Sequence, residues 1–96
     1  MELSEALDAV HDAESFLVFA RMLTEDREHA AQLEKTGPRL PYGVYANGWA
    51  NNTIESFLDA AIRWAEDSRF GMSQGVAPDN PWKQFAVFLF FGKIDE

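Results

Sequence analysis

Apolar residues recur at helical spacing in three stretches of the chain. The clearest stripe follows one face of a helix with 3.6 residues per turn, at Ile54, Phe57, Leu58, Ala61, Ile62 and Ala65. This pattern predicts an amphipathic helix over residues 53–67. We expect Asn51 or Asn52 to be its N-cap, with Glu55 near the reciprocal position of a capping box.

A longer helix is predicted over residues 13–35, with Asp12 as its N-cap. Its apolar positions at near-helical spacing are Phe16, Phe19, Ala20, Leu23, Ala30 and Leu33. The polar stretch 24–28 interrupts this stripe, so either one helix projects past the core or two shorter helices meet at a kink. We favour one continuous helix ending near Lys35, because a Gly-Pro pair follows as a strong stop signal.

The last helix is predicted over residues 82–91. Asn80 is a typical N-cap, and Pro81 suits the first helical position, where its missing N–H has no consequence. Apolar side chains cover nearly the whole circumference of this helix, and such a helix is normally buried on more than one side. Residues 3–10 add a loosely packed N-terminal helical turn.

Together these elements predict an all-α fold, a small bundle of three main helices with a short N-terminal helical turn and a long aromatic loop. The loop spans residues 36–48 and is rich in glycine and proline. A length of 96 residues suits one helical domain over residues 1–96. The large indole rings of Trp49, Trp64 and Trp82 are expected in the core or at its edge.

The charge balance narrows the classes of partner. The chain has 16 acidic and 8 basic residues, a formal net charge of −8, and most of the excess lies in residues 1–36. Such a surface repels nucleic acids and anionic membranes, so we expect neither as a partner. It favours a basic protein or a metal cation, and it also keeps a protein soluble.

Cysteine is absent, which excludes disulfides, thiolate zinc sites and thiol nucleophiles. The N-terminus is acidic where a secretory signal would be basic, and no apolar run approaches the roughly 20 residues that span a bilayer. We therefore expect a soluble, cytoplasmic protein.

Candidate reactive residues are few. Asp8 precedes His11, and Asp26 precedes His29, by three positions, a spacing related to the Glu-x-x-His pairs of di-metal bundles. However, Asp is shorter than Glu, and the polar residues around both pairs indicate that their side chains face solvent. No Gly-x-Ser-x-Gly motif or phosphate-binding loop is present. We predict no catalytic, cofactor-binding or metal-binding residues, no cofactor, and no enzyme activity.

Two parts of the sequence resemble a family of small, acidic, uncharacterised bacterial proteins. The motif that carries the likeness is Trp49-x-Asn51-x-Thr53-Ile54-x-x-Phe57-Leu58-x-Ala60-x-x-x-Trp64-x-x-Asp67, followed by Pro81-Trp82-x-x-Phe85-Ala86. The resemblance covers residues 10–26 and 49–96, whereas residues 27–48 are longer than the short link of the family. It implies an all-helical fold, and it carries over no activity and no catalytic residue.

Three functional hypotheses follow. The first is a non-enzymatic interaction protein of the inhibitor, immunity or adaptor type, whose acidic surface meets a basic protein. Its candidate contact residues lie in the loop and are Arg39, Tyr42 and Tyr45. The second is a homodimer that assembles through Phe88 and Phe91 of the last helix. The third is a small metal- or ligand-binding bundle that uses His11 or His29.

Overall fold

A computed structural model describes residues 1–36, 46–77 and 79–95 of the chain. Within these ranges the protein is helical and contains no strand, which confirms the predicted small all-α bundle. Its α-helices are α1 (Leu3–Asp8), α2 (Ala13–Thr36), α3 (Ile54–Ser68) and α4 (Pro81–Ile94). Single 3₁₀ turns occupy Ala46–Gly48 and Met72–Gln74. None of the described helices is long and apolar enough to cross a membrane.

Helix α4 lies at the centre of the bundle, because α1, α2 and α3 each pack against it. The contact with α3 is the most extensive, whereas α2 and α3 hardly contact each other. This arrangement explains why apolar residues surround α4, and it confirms the predicted burial on more than one side. The helix is longer than predicted, with Asn80 accepting a hydrogen bond of 3.2 Å from the backbone N–H of Lys83 at its start.

Helix α2 runs parallel to α4. The ring of Phe16, near the start of α2, lies 5.6 Å from the ring of Trp82, near the start of α4. Ten residues further along α2, Asp26 pairs with Lys93 in the last turn of α4. Phe19 is completely buried in a core cluster that includes residues of α1, α2 and α4.

Helix α3 runs antiparallel to α4 and approaches it very closely. A Cβ atom at Gly92 would lie only 2.9 Å from the carbonyl oxygen of Phe57, so the contact requires glycine at this position. At the other end of α3, the ring of Phe70 stacks on Phe88 with a centroid separation of 5.8 Å. The backbone of α3 therefore approaches α4 closely at a position of α4 that has no side chain.

The N-terminal segment is more firmly packed than predicted. Helix α1 buries Ala6, and the following Val10 is also buried, each with 2% of its surface exposed. The ammonium group of Lys83 donates hydrogen bonds of 2.7 and 2.8 Å to the carbonyl oxygens of Leu7 and Asp8. These bonds satisfy carbonyls at the C-terminal end of α1 and attach it to α4.

Helix α2 is continuous, as favoured above, and Asp12 begins it. The carboxylate of Asp12 accepts hydrogen bonds from the hydroxyl group of Ser15 (2.7 Å) and from its backbone N–H (2.9 Å). These bonds, with the hydroxyl making the larger contribution, hold the pKa of Asp12 below its ordinary value. Because the folded-state pKa is the lower one, this cap stabilises the fold above the ordinary carboxyl range and is lost as the pH falls. Leu33 is exposed, so the predicted stripe is wrong at its last position.

The N-cap of α3 is Thr53, and the predicted capping by Asn51 or Asn52 is wrong. The Thr53 hydroxyl accepts a 3.1 Å hydrogen bond from the backbone N–H of Ser56, which takes the reciprocal position predicted for Glu55. Asn51 has a different role. Its amide donates to the carbonyl oxygens of two residues at the C-terminal end of α4, Gly92 and Asp95.

Replacing Thr53 with alanine is therefore expected to lower the free energy of unfolding by about 0.5–2 kcal/mol, the usual contribution of a hydroxyl N-cap. Asn52→Ala, one position earlier, is the matched control and should change the free energy of unfolding by only a few tenths of a kcal/mol. Urea unfolding of both variants measures the difference. A larger loss of stability in Asn52→Ala than in Thr53→Ala would show that Asn52, and not Thr53, is the N-cap.

The buried face of α3 also differs from the predicted stripe. The buried residues are Ala60, Ala61, Trp64, Ala65 and Ser68. Ile54, Leu58 and Ile62 are 78%, 42% and 48% exposed, so assigning them to the core was wrong. The close approach to α4 selects small residues, and the three aliphatic side chains form a row beside the contact.

The tryptophans divide between two environments. Trp49 and Trp64 are buried, which confirms the prediction for these two residues. Trp82 is 42% exposed and therefore lies outside the core, at its edge, which was one of the two predicted places. Its ring packs against that of Phe16, near the start of α2.

Candidate functional site

A groove of about 420 Å³ opens between α2 and α3. It exists because both helices pack on α4 while hardly contacting each other. Most of its lining is apolar, from Ala20, Leu23, Trp49, Ile54, Phe57 and Leu89. Thr24, Arg27 and Glu28 of α2 and the amides of Asn51 and Asn52 add polar groups. A concave apolar surface with a few polar groups is typical of a binding site.

Exposed apolar side chains continue this surface along all three helices. Leu17 is 50% exposed and precedes Ala20 by three positions, on the same side of α2. Leu58 follows Ile54 by one turn of α3, and Phe85 precedes Leu89 by one turn of α4. By helical spacing, exposed apolar surface therefore continues for about one further turn beyond the residues that line the groove.

Acidic side chains follow the outer side of both groove walls. On α2, the exposed residues Glu14, Glu25 and Glu28 share one face of the helix, together with Arg21. On α3, exposed acids share a face beside the row of Ile54, Leu58 and Ile62, and they are Glu55, Asp59 and Glu66. The groove thus has an apolar floor between two predominantly acidic edges.

An ion pair between a buried lysine and a half-buried aspartate supports one end of the groove. Lys93 is only 8% exposed, and its ammonium group donates a 2.7 Å hydrogen bond to Oδ2 of Asp26. The same oxygen accepts a 2.9 Å hydrogen bond from the indole N–H of Trp49. The polar stretch that interrupts the stripe of α2 therefore includes a core contact, and sequence reasoning missed it.

Arg27 also contacts Trp49. Its Nη2 donates a 2.8 Å hydrogen bond to Glu34, whose other oxygen accepts a 3.1 Å bond from the backbone N–H of Ala46. The guanidinium carbon lies 5.2 Å from the centroid of Trp49, within range of a cation–π interaction. Nη1 of Arg27 is buried and has no hydrogen-bond partner among the described residues. These contacts orient the indole that lines the groove.

Both histidines are exposed, and neither lines the groove. Nδ1 of His11 lies 2.9 Å from the carbonyl oxygen of Ala9, and Nδ1 of His29 lies 3.0 Å from the amide of Asn47. In the described part of the chain, no group of three or more His, Asp or Glu side chains could hold a metal ion. The alternative based on His11 or His29 therefore gains no support from this geometry.

The predicted partner contacts fall into two groups. Arg39, Tyr42 and Tyr45 lie outside the described residues. Phe88 and Phe91 are half-buried within the chain. The ring of Phe91 stacks on Trp64 at 4.9 Å and 5°, and Phe88 stacks on Phe70 and Phe85. The sequence analysis did not predict the groove. The pattern that could have indicated it is the row of large aliphatic residues on α3, a helix whose other exposed residues are mostly acidic.

Comparison with protein-family models, curated proteins and solved structures finds no match to the chain. The resemblance to small acidic bacterial proteins therefore stays a prediction that rests on its motif alone.

Proposed function

We propose that the protein is a non-enzymatic interaction protein that binds a basic protein partner, as inhibitors, immunity proteins and adaptors do. The observation that carries the proposal is the exposed apolar groove between two rows of acids. Contiguous apolar surface with a polar rim is typical of interaction sites. Acidic edges would speed the encounter with a basic partner and exclude acidic ones. We also propose a cytoplasmic location, which the cysteine-free composition supports.

The charged side chains beside the groove support binding rather than reaction. Asp26 is engaged by Lys93 and Trp49, and Arg27 is engaged by Glu34. These groups hold the walls of the groove in place. Their arrangement supplies a rigid surface, which reduces the entropy lost on association.

Affinity capture from lysate, with identification by mass spectrometry, tests the proposed function. The protein is expected to recover a basic protein at low salt, and the yield should fall at high salt because exposed charges are then screened. Reversal of two edge acids, Glu25→Lys with Glu28→Lys, should abolish recovery. Asp67→Lys with Asp79→Lys is the matched control, since it changes the net charge equally at exposed acids that do not line the groove.

Equal recovery by the two charge-reversed proteins would contradict a role for the acidic edges. Failure to recover any basic protein with the unaltered chain would contradict the proposed function itself. The homodimer remains a second proposal, but the stacking of Phe88 and Phe91 within the chain makes it the less favoured one. Sedimentation at high concentration is expected to give a monomer.

A further inference from the structure

We infer that the groove receives an amphipathic helix from the partner, with lysine or arginine residues along both edges of its apolar face. This inference rests on the proposed function and adds the shape and chemistry of the segment that is recognised. It follows from the arrangement of the helices, from the length of the groove wall and from the charge of the groove edges.

The arrangement of helices leaves one position of a four-helix bundle open. Helices α2 and α3 are antiparallel to each other, since α2 runs with α4 and α3 runs against it. Helix α1 attaches to α4 through Lys83, whereas the side that carries Phe85 and Leu89 remains partly exposed. A helix seated over Leu89, between α2 and α3, would cover this side and complete a bundle. Small side chains on the α2 wall, Ala20 and Thr24, leave room for its close approach.

The groove wall has the length of a short helix. From Leu17 to Glu28 the wall formed by α2 spans 11 residue steps, or roughly 17 Å at 1.5 Å per residue. An occupant of about three turns matches this length and would present apolar residues at i, i+3, i+4 and i+7. Ile54, which is 78% exposed, is the largest apolar contact that such a helix would cover on α3.

The charge of the edges selects a basic helix. Glu25 and Glu28 on one side and Glu55 and Asp59 on the other would lie beside the polar flanks of the occupant. Lysine and arginine have long side chains that cover apolar surface and reach such carboxylates. A second copy of this chain carries the same net charge of −8, so electrostatic repulsion opposes self-association at the same groove.

Fluorescence anisotropy with a small panel of labelled, designed helical peptides tests the inference. Each peptide has about 18 residues, with a leucine stripe at helical spacing and flanking lysines. One control exchanges lysine for glutamate, and another keeps the composition but disrupts the stripe. We expect binding of the basic amphipathic peptides, with affinity at least about tenfold lower for both controls.

Two protein variants locate the binding. Ile54→Lys places a cation in the groove at an exposed position and should weaken binding of the basic peptide by about tenfold or more. Met72→Lys is the matched control, since Met72 is 52% exposed and does not line the groove, and it should change affinity less than about twofold. Circular dichroism verifies that both variants fold. Nuclear magnetic resonance should show the largest shift changes at Leu23, Ile54 and Leu89.

The outcomes separate the inference from the proposed function. Recovery of a basic protein in the capture experiment, with no peptide of the panel sensitive to Ile54→Lys, would leave the function standing and overturn the helix-in-groove inference. Concentration-dependent dimerisation that Ile54→Lys abolishes would show that a second copy occupies the groove, and it would also overturn the helix-in-groove inference. Peptide binding that appears only after residues 37–45 are replaced by a Gly-Ser linker would show that this segment occupies the groove, and it would overturn the inference as well.

Discussion

Replacement of Asp26 by alanine is expected to lower the free energy of unfolding by about 3–5 kcal/mol. The carboxylate accepts hydrogen bonds from the ammonium of Lys93 and the indole N–H of Trp49, and Lys93 is only 8% exposed. The variant would leave a buried cation and a buried donor without their partner. In a chain of this size the midpoint of thermal unfolding should fall by more than about 10 °C.

Glu25→Ala is the matched control for this prediction, since it removes an exposed acid from the adjacent position of α2. It should change stability by less than about 0.5 kcal/mol. The double variant Asp26→Leu with Lys93→Met should lose less than Asp26→Ala, because both charges then leave the core together. A loss below about 1 kcal/mol in Asp26→Ala would contradict the prediction, because it would show that water solvates the ammonium group of Lys93 when the carboxylate is absent.

Replacement of Phe19 by alanine is expected to cost a similar 3–5 kcal/mol, because the phenylalanine ring is fully buried. Its loss removes apolar contacts and leaves a cavity in the core that the surrounding helices can close only in part. Total stability of a small domain is about 5–15 kcal/mol, so the variant would be close to unfolded. Urea unfolding followed by circular dichroism measures the change through the midpoint.

Val18→Ala, at the neighbouring position of α2, is the matched control. It measures the effect of a change in helix propensity and of a shorter side chain without the loss of a buried ring. Val18 is 42% exposed, so its truncation should cost well under half as much as that of Phe19. Similar losses in the two variants would contradict the placement of Phe19 on the buried face of α2 and of Val18 on its exposed face. An unchanged midpoint in Phe19→Ala would contradict the buried contact itself.

Local signals in the sequence were sufficient to predict the helices. Asp12 and the Asn80-Pro81 pair place the starts of α2 and α4 through hydrogen bonds to residues three or fewer positions away. The cap of α3 was harder, because two asparagines and a threonine compete within three residues. Threonine forms the cap, since Asn51 is drawn away to the end of α4, a contact across more than 40 positions.

The groove could not be predicted, because it depends on where α2 and α3 each pack on the surface of α4. The stripe of α3 marks an apolar half of the helix, but only a neighbouring helix decides which part of that half is buried. Gly92 admits the α3 backbone so closely that alanines form the contact, and Ile54 and Leu58 remain beside it. The ion pair between Asp26 and Lys93 spans 67 positions, so its two residues are unrelated in the sequence pattern.

The central place of α4 has a consequence for biosynthesis. Chains emerge from the ribosome N-terminus first, and the helix that all the others need is the last one described here. Until it emerges, α1 lacks the hydrogen bonds from Lys83, 76 positions away, and the apolar faces of α2 and α3 lack their packing partner. Helices α1 to α3 are therefore expected to reach their native packing only after α4 has been synthesised.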